Sequence, residues 1–136
     1  MNMKQPRQLA NHCLRLRPDA GIEELAIDET FWPRLMAGQL GDFHNEYLVS
    51  LYEFSENWPS SEIHPLGDEV VILLEGAAVF QLELKEGMHA VELSQPGAYV
   101  FVPKGTWHTA KIQQHAKMLF ITAGEDTQHR PHSDSP

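Results

Sequence analysis

From Glu46 to Gly124 the chain is divided into short apolar or alternating runs, each closed by a glycine, proline or acidic turn, with no long helical stretch between them. "EYLVSLYEF" has the β-branched and aromatic bias of a strand, and "EVVILLEG" is a short apolar run stopped by Gly76. In "AAVFQLELKEGMHAVEL", Val79, Gln81 and Glu83 alternate with Phe80, Leu82 and Leu84. The segment turns at Lys85-Glu86-Gly87 and resumes through Val91 and Leu93, which predicts a hairpin. "GAYVFVPKGTWHTAKI" reads as strand, Pro-Lys-Gly turn, strand, and "KMLFITAG" adds one more run. Strands at this spacing predict an all-β barrel or sandwich.

The flanks read differently. Residues 1–45 have neither clean helical nor strand periodicity and are punctuated by Pro18, Gly21, Pro33, Gly38 and Gly41, which predicts an N-terminal arm wrapped on the core. Within it, "FWPRLMAG" has two readings, a functional lid or, more simply, Phe31, Trp32 and Leu35 as apolar cover for the barrel or a subunit contact. Residues 126–136 are polar, with two prolines, and predict a flexible tail in which His129 and His132 face solvent. The 136 residues therefore divide into an arm (1–45), a barrel (46–125) and a tail (126–136) of one domain, the usual size being about 100 to 200 residues.

Nineteen acidic against ten basic residues give a net charge of −9, which argues against a nucleic-acid partner. No apolar run approaches the roughly 18 to 20 residues of a membrane span, and the first 20 residues lack the apolar core of a signal peptide. With Cys13 as the sole cysteine there is no internal disulfide, and a reducing cytoplasm is the expected location.

The chemistry concentrates in "SSEIHPLGDEVVILLEG", Ser60 to Gly76. On a strand Glu62 and His64 share a face, and the Pro65-Leu66-Gly67-Asp68 turn can return Glu69 beside them on the next strand. His108, just after the "PKGTW" turn, can supply a fourth group. Two carboxylates brought together inside a barrel repel unless a cation lies between them, and two nitrogens with two oxygens suit a divalent Fe, Mn, Ni or Zn ion. Glu62 has an alternative as a barrel-mouth carboxylate, which leaves His64, Glu69 and His108 as a two-histidine, one-carboxylate set. Asp68 reads as a turn cap through its own backbone. Trp107, Tyr99, Phe101, Phe54 and Tyr52 read as core or pocket wall, and His12, His44, His89 and His115 as surface residues.

Together, "EIHPLGDEVVILLEG" and "GAYVFVPKGTWH" resemble the two motifs of the cupin superfamily. The first motif is H-x-H, three or four residues, E, six residues, G; Glu62, His64, Glu69 and Gly76 fall in its register, with glutamate at the first histidine position. The second is G, five residues, P-x-G, two residues, H, three residues, N; Gly97, Pro103, Gly105 and His108 match, and Ile112 stands at the asparagine position. Trp58, Glu62, His64-Pro65 and Gly67-Asp68-Glu69 are similar to a W-E-x-H-P-x-G-D-E signature of small single-domain bacterial cupins, with an insertion after the tryptophan.

The resemblance implies a cupin double-stranded β-helix, a jelly-roll barrel, with a divalent metal held by Glu62, His64, Glu69 and His108, and a homodimer formed through barrel strands and the arm. It also implies dioxygenase-like or isomerase-like chemistry on a small molecule, or else a non-catalytic module that binds a small ligand or metal. Glu53, Glu75, Tyr52 and Tyr99 are the candidate proton carriers beside the metal.

Overall fold

The computed structural model describes residues 4–131. A 3-10 turn at Leu9–Asn11 leads into β1 (His12–Leu16) and β2 (Ile22–Ala26), followed by a one-and-a-half-turn helix α1 (Phe31–Met36). The barrel strands are β3 (Tyr47–Phe54), β4 (Ser60–Ile63), β5 (Glu69–Gly76), β6 (Ala78–Leu84), β7 (Gly87–Leu93), β8 (Tyr99–Val102), β9 (His108–Lys111), β10 (Ala116–Ala123) and β11 (Gln128–Pro131). They form two antiparallel sheets, one of order β2-β1-β3-β10-β5-β8 and one of order β11-β4-β9-β6-β7. The all-β barrel expected from the strand spacing is observed, in the jelly-roll form that the cupin resemblance implies.

Side chains alternate between a shared interior and the outer faces. Val71, Leu73, Val100, Val102, Met118 and Phe120 from the first sheet meet Phe80, Leu82, Leu93 and Ala110 from the second, and Trp58 joins them. Ile112, at the family's asparagine position, is one of these core residues. Gly76 has φ +81, and a Cβ there would lie 2.0 Å from the His115 carbonyl oxygen, so the end of β5 accepts only glycine.

The arm does more than wrap the barrel. Its first strand, "HCLRL", points Cys13 and Arg15 inward and pairs with β3, so that β1 and β2 extend the larger sheet. Phe31, Leu40 and Phe43 close over Cys13 as a second apolar cluster. Burial pushes the Cys13 thiol up to about 11, which keeps it unreactive. The inward charge of Arg15 is met by a bidentate pair with buried Glu46, at 2.7 and 3.1 Å, while its guanidinium lies 4.4 Å from the Phe43 ring centre.

Two expectations are corrected. Gln128–Pro131 does not stay free but pairs antiparallel with β4, placing His129 opposite Glu62. The pairing arises from backbone groups on the open edge of β4, which need no apolar side chains, and Arg130 adds a contact over the Trp107 ring, 4.2 Å from its centre. His132 lies outside the described residues. In addition, Tyr99 (62% exposed) and Phe101 (51%) are neither core nor pocket wall; Val100 and Val102 take the inward positions of β8, so both aromatics face outward.

Candidate metal centre

Glu69 opens β5 in one sheet; Glu62 on β4, His64 just beyond it and His108 opening β9 belong to the other. The four converge between the sheets. One ligand-capable atom from each lies within 4.8 Å of all the others. His64 Nε2 is 3.4 Å from Glu69 Oε2 and 3.7 Å from Glu62 Oε2, and His108 Nε2 is 2.9 Å from Glu69 Oε1.

The two turns that carry these residues are tied together. Asp68 does not cap its own turn; its Oδ1 accepts a hydrogen bond from the Lys104 backbone N–H at 2.9 Å, and the Gly105 N–H donates to the His64 carbonyl at 3.0 Å. The "HPLGD" and "PKG" turns therefore form one unit, although Asp68 and Lys104 lie 36 positions apart in the chain.

Neighbouring groups settle how each side chain presents itself. His108 Nδ1 lies 3.0 Å from the Thr106 carbonyl oxygen, which can only accept, so the proton is on Nδ1 and the lone pair of neutral His108 is on Nε2. The Thr127 hydroxyl donates to the Gly124 carbonyl at 3.1 Å and is left to accept from His64 Nδ1–H at 2.9 Å, which directs His64 Nε2 inward. Thr122, across the β5–β10 ladder from Glu69, donates its hydroxyl to Glu69 Oε2 at 2.6 Å. What remains is His64 Nε2, His108 Nε2 and Glu69 Oε1, all buried and without a hydrogen-bond partner; the 2.9 Å approach of the last two lacks hydrogen-bond geometry.

Such atoms are costly to bury unless something binds them. A divalent cation would satisfy all three, so the residues present fit a metal. His64, Glu69 and His108 are 4%, 2% and 1% exposed, whereas the Glu62 side chain keeps 27% of its surface. Electrostatics point the same way. Burial lowers the His64 pKa, but the adjacent Glu62 and Glu69 carboxylates outweigh it and raise it to about 9. Burial likewise raises that of Glu69, yet His108 and His64 draw it down to about 2. The cluster holds Glu69 ionised and demands a positive charge, which without metal is a proton on His64.

A cavity of about 1130 Å³ opens on the centre through Glu62, His64 and Glu69, with Tyr52, Phe54, Phe120 and Trp32 among its walls. Trp32 and Leu35 line it from α1, and Phe31 packs beneath in the arm cluster. Of the candidate proton carriers, Tyr52 and Glu53 reach this cavity; Glu75 and Tyr99 do not. His129, read as a solvent-facing tail residue, lines it and sits 3.2 Å from Glu62 Oε1. Thr122, Thr127 and His129 had no signal in the sequence, since a lone hydroxyl or imidazole is recognised only through the strand that sets it beside a partner.

Paired motif turns that meet over one buried cluster, on a two-sheet jelly roll, decide the class of barrel. This is a cupin fold. Solved structures similar to this cupin barrel include peruvianin-I, a cysteine peptidase from Thevetia peruviana latex (TM-score 0.54, 14% identity, covering 64% of this chain and 57% of that one). A cupin superfamily protein from Desulfitobacterium hafniense is 28% identical over 56% of this chain and 65% of its own, at TM-score 0.47. A cupin-2 domain containing protein from Shewanella frigidimarina is 26% identical over 58% and 72%, at TM-score 0.46. No protein-family model matches the chain, and no curated protein matches it in sequence. Among the described residues no helix is long and apolar enough to cross a membrane.

Proposed function

We propose that this cupin is a metal-dependent enzyme acting on a small molecule, with Glu62, His64, Glu69 and His108 as the ligands of one divalent transition metal ion. The observation that carries this reading is the convergence of three buried, unpartnered ligand atoms, two of them on residues that line an open cavity, His64 and Glu69. When bound, the ion supplies a Lewis acid that polarises an oxygen of a molecule beside it, which suits dioxygenase-like or isomerase-like reactions. Two carboxylates and two imidazoles favour a harder ion such as Mn or Fe over a thiol-seeking one, with Ni and Zn also accommodated.

The chain's own residues have separate tasks in this reading. Thr106, Thr122 and Thr127 hold the ligands in orientation. Tyr52, Phe54 and Phe120 give the substrate an apolar wall. The open cavity offers a reactant an approach beside Glu62, whose side chain keeps 27% of its surface.

A non-catalytic module that binds metal or a small ligand is the second reading. Elemental analysis of the purified protein, anaerobic reconstitution with Fe, Mn, Ni and Zn, and the variants His64→Ala and His108→Ala test both. About one ion per chain, lost in both variants, is expected; unchanged metal content in the variants removes the site. Metal uptake with no turnover in a broad oxygen-consumption and isomerisation screen favours the module.

The outer face of the larger sheet supports a homodimer. Phe101, Val70, Ile121 and Val49 form one row across β8, β5, β10 and β3, and Tyr99, Ile72, Leu119 and Leu51 form the next. Phe101→Glu is expected to yield monomers by analytical ultracentrifugation.

A further inference from the structure

The charge on the cavity wall has a consequence for what can enter. Apart from Glu62 and Glu69, the wall carries Asp42, Glu53, Glu56, Glu125 and Asp126, and among the described residues no lysine or arginine lines it. Part of this charge is met locally. Glu53 faces His115 at 3.1 Å and Lys117 at 4.0 Å, and Glu125 faces His44 at 3.1 Å. Asp42, Glu56 and Asp126 add to the remainder. A divalent ion in the centre is balanced by Glu62 and Glu69, so the wall above it stays net negative even with metal bound.

The cavity is a ligand site on grounds independent of these acids, because buried His64 Nε2 and Glu69 Oε1 face it without partners. Its apolar side is aromatic and continuous: Trp32 to Tyr52 is 6.2 Å between ring centres, Tyr52 to Phe54 is 6.3 Å and Tyr52 to Phe120 is 5.6 Å. Aromatic faces beside carboxylates attract organic cations through both the ring quadrupole and direct charge, and they disfavour anions.

We infer that the cavity admits a small organic ammonium compound, its flat apolar body against Trp32, Tyr52 and Phe54 and its positive end toward the acidic wall, and that it rejects carboxylates of the same shape. The inference rests on the reading of this cavity as the substrate site.

Three probes of similar shape test it on the metal-loaded protein by calorimetry: 2-phenylethylammonium, 2-phenylethanol and phenylacetate. The ammonium compound is expected to bind at least about tenfold more tightly than phenylacetate, with the alcohol between them and the gap shrinking as salt is raised. The double variant Glu56→Gln, Asp126→Asn, which leaves the metal ligands untouched, should narrow the ratio by about threefold at unchanged metal content. Phenylacetate binding as tightly as the ammonium probe, no measurable binding of any of the three, or an unaltered ratio in the double variant overturns the inference. The same ranking measured on metal-free protein separates this from the metal reading: it holds even if the chain takes up no metal, whereas metal uptake with a preference for phenylacetate overturns the charge selection alone.

Discussion

Glu69 and His108 stand on strands with long partners: β5 is paired along both sides, by β10 and β8, and β9 runs four residues beside β6. Glu62 and His64 stand on or beside β4, which meets β9 at a single residue pair, accepts a hydrogen bond from the Thr109 hydroxyl at the Ser60 carbonyl, and makes four pairs with β11. One half of the centre is embedded in the core. The other lies where β4 meets the C-terminal strand, with His64 buried and its carbonyl held by the Gly105 N–H, and Glu62 partly exposed. The proposed metal site therefore has two ligands on strands paired at length and two on or beside a weakly paired strand, so the halves should respond differently to the same perturbation.

Neutralising one carboxylate in each half tests that difference most strongly. Glu69→Gln removes the buried carboxylate that both histidines approach, and metal affinity should fall by more than about 100-fold, beyond the usual effect of an outer-shell change. Glu62→Gln removes a partly exposed one and should lower affinity by about tenfold. Glu62→His, which restores the family pattern, should recover affinity with an altered metal preference. Equal losses in the two glutamine variants, by chelator competition, would show that the halves are equally fixed. Full retention in Glu62→Gln would leave His64, Glu69 and His108 as the working set.

Acid–base behaviour separates the halves next. With the His64 pKa near 9, the metal-free chain at pH 7 carries a proton there that an incoming ion must displace. Calorimetry in buffers of different ionisation enthalpy should find about one proton released per ion at pH 7, and the apparent affinity should rise about tenfold per pH unit up to pH 9. Absence of proton release would mean that His64 is already neutral. The same values set the stability of the metal-free chain. His64 is raised from 6.5, so its contribution is whole below pH 6.5 and is lost as pH rises through about 9. Glu69 is lowered from 4.5, so its contribution is whole above pH 4.5 and is lost as pH falls toward about 2. A plateau in the thermal midpoint between pH 4.5 and 6.5, falling on either side, is expected for the metal-free form.

The same division governs what could be read from the sequence. The fixed half was legible: "EVVILLEG" and "PKGTWH" carry a strand run, positive-φ glycines at Gly76 and Gly105, and motif spacing, all local properties of the chain. Glu62 and His64 were legible as a pair because strand alternation puts them on one face. The support of the edge half was not. "QHRP" has no alternation and is exposed at every position, so its strand exists only because β4 offers an unpaired edge. Arg15 and Glu46 are 31 residues apart and each is unremarkable alone; only the fold makes them a buried pair. Tyr99 and Phe101 misled for a related reason, since alternation on β8 says which residues share a face but not which face is inside.

Truncation after Thr127 isolates the edge. It removes β11 while keeping the Thr127 hydroxyl that orients His64, and metal affinity should fall by about tenfold because Glu62 loses both its strand partner and His129. The larger sheet and the core make no use of β11, so the thermal midpoint of the metal-free chain should fall by only a few degrees. Loss of cooperative unfolding in the truncated chain would show instead that β11 is part of the barrel's stability, and that the two halves are not separable.

The smallest effect should come from Arg130, which ties β11 to the barrel through Glu83 and the Trp107 ring. Both contacts are solvent-exposed in part: the Arg130 and Glu83 side chains keep 44% and 38% of their surface, so charge screening leaves the pair worth less than about 1 kcal/mol. The ring contact adds about 0.5–1 kcal/mol. Arg130→Ala should therefore shift the thermal midpoint slightly and weaken metal binding by no more than about threefold, because the β4–β11 backbone pairs remain. Arg130→Lys, which keeps the charge but not the planar group over Trp107, divides the remainder: recovery of metal affinity in the lysine variant assigns the effect to the ion pair, and no recovery assigns it to stacking. An Arg130→Ala loss as large as that of the truncation would place the hold on Glu62 in this one side chain instead of in the strand pairing.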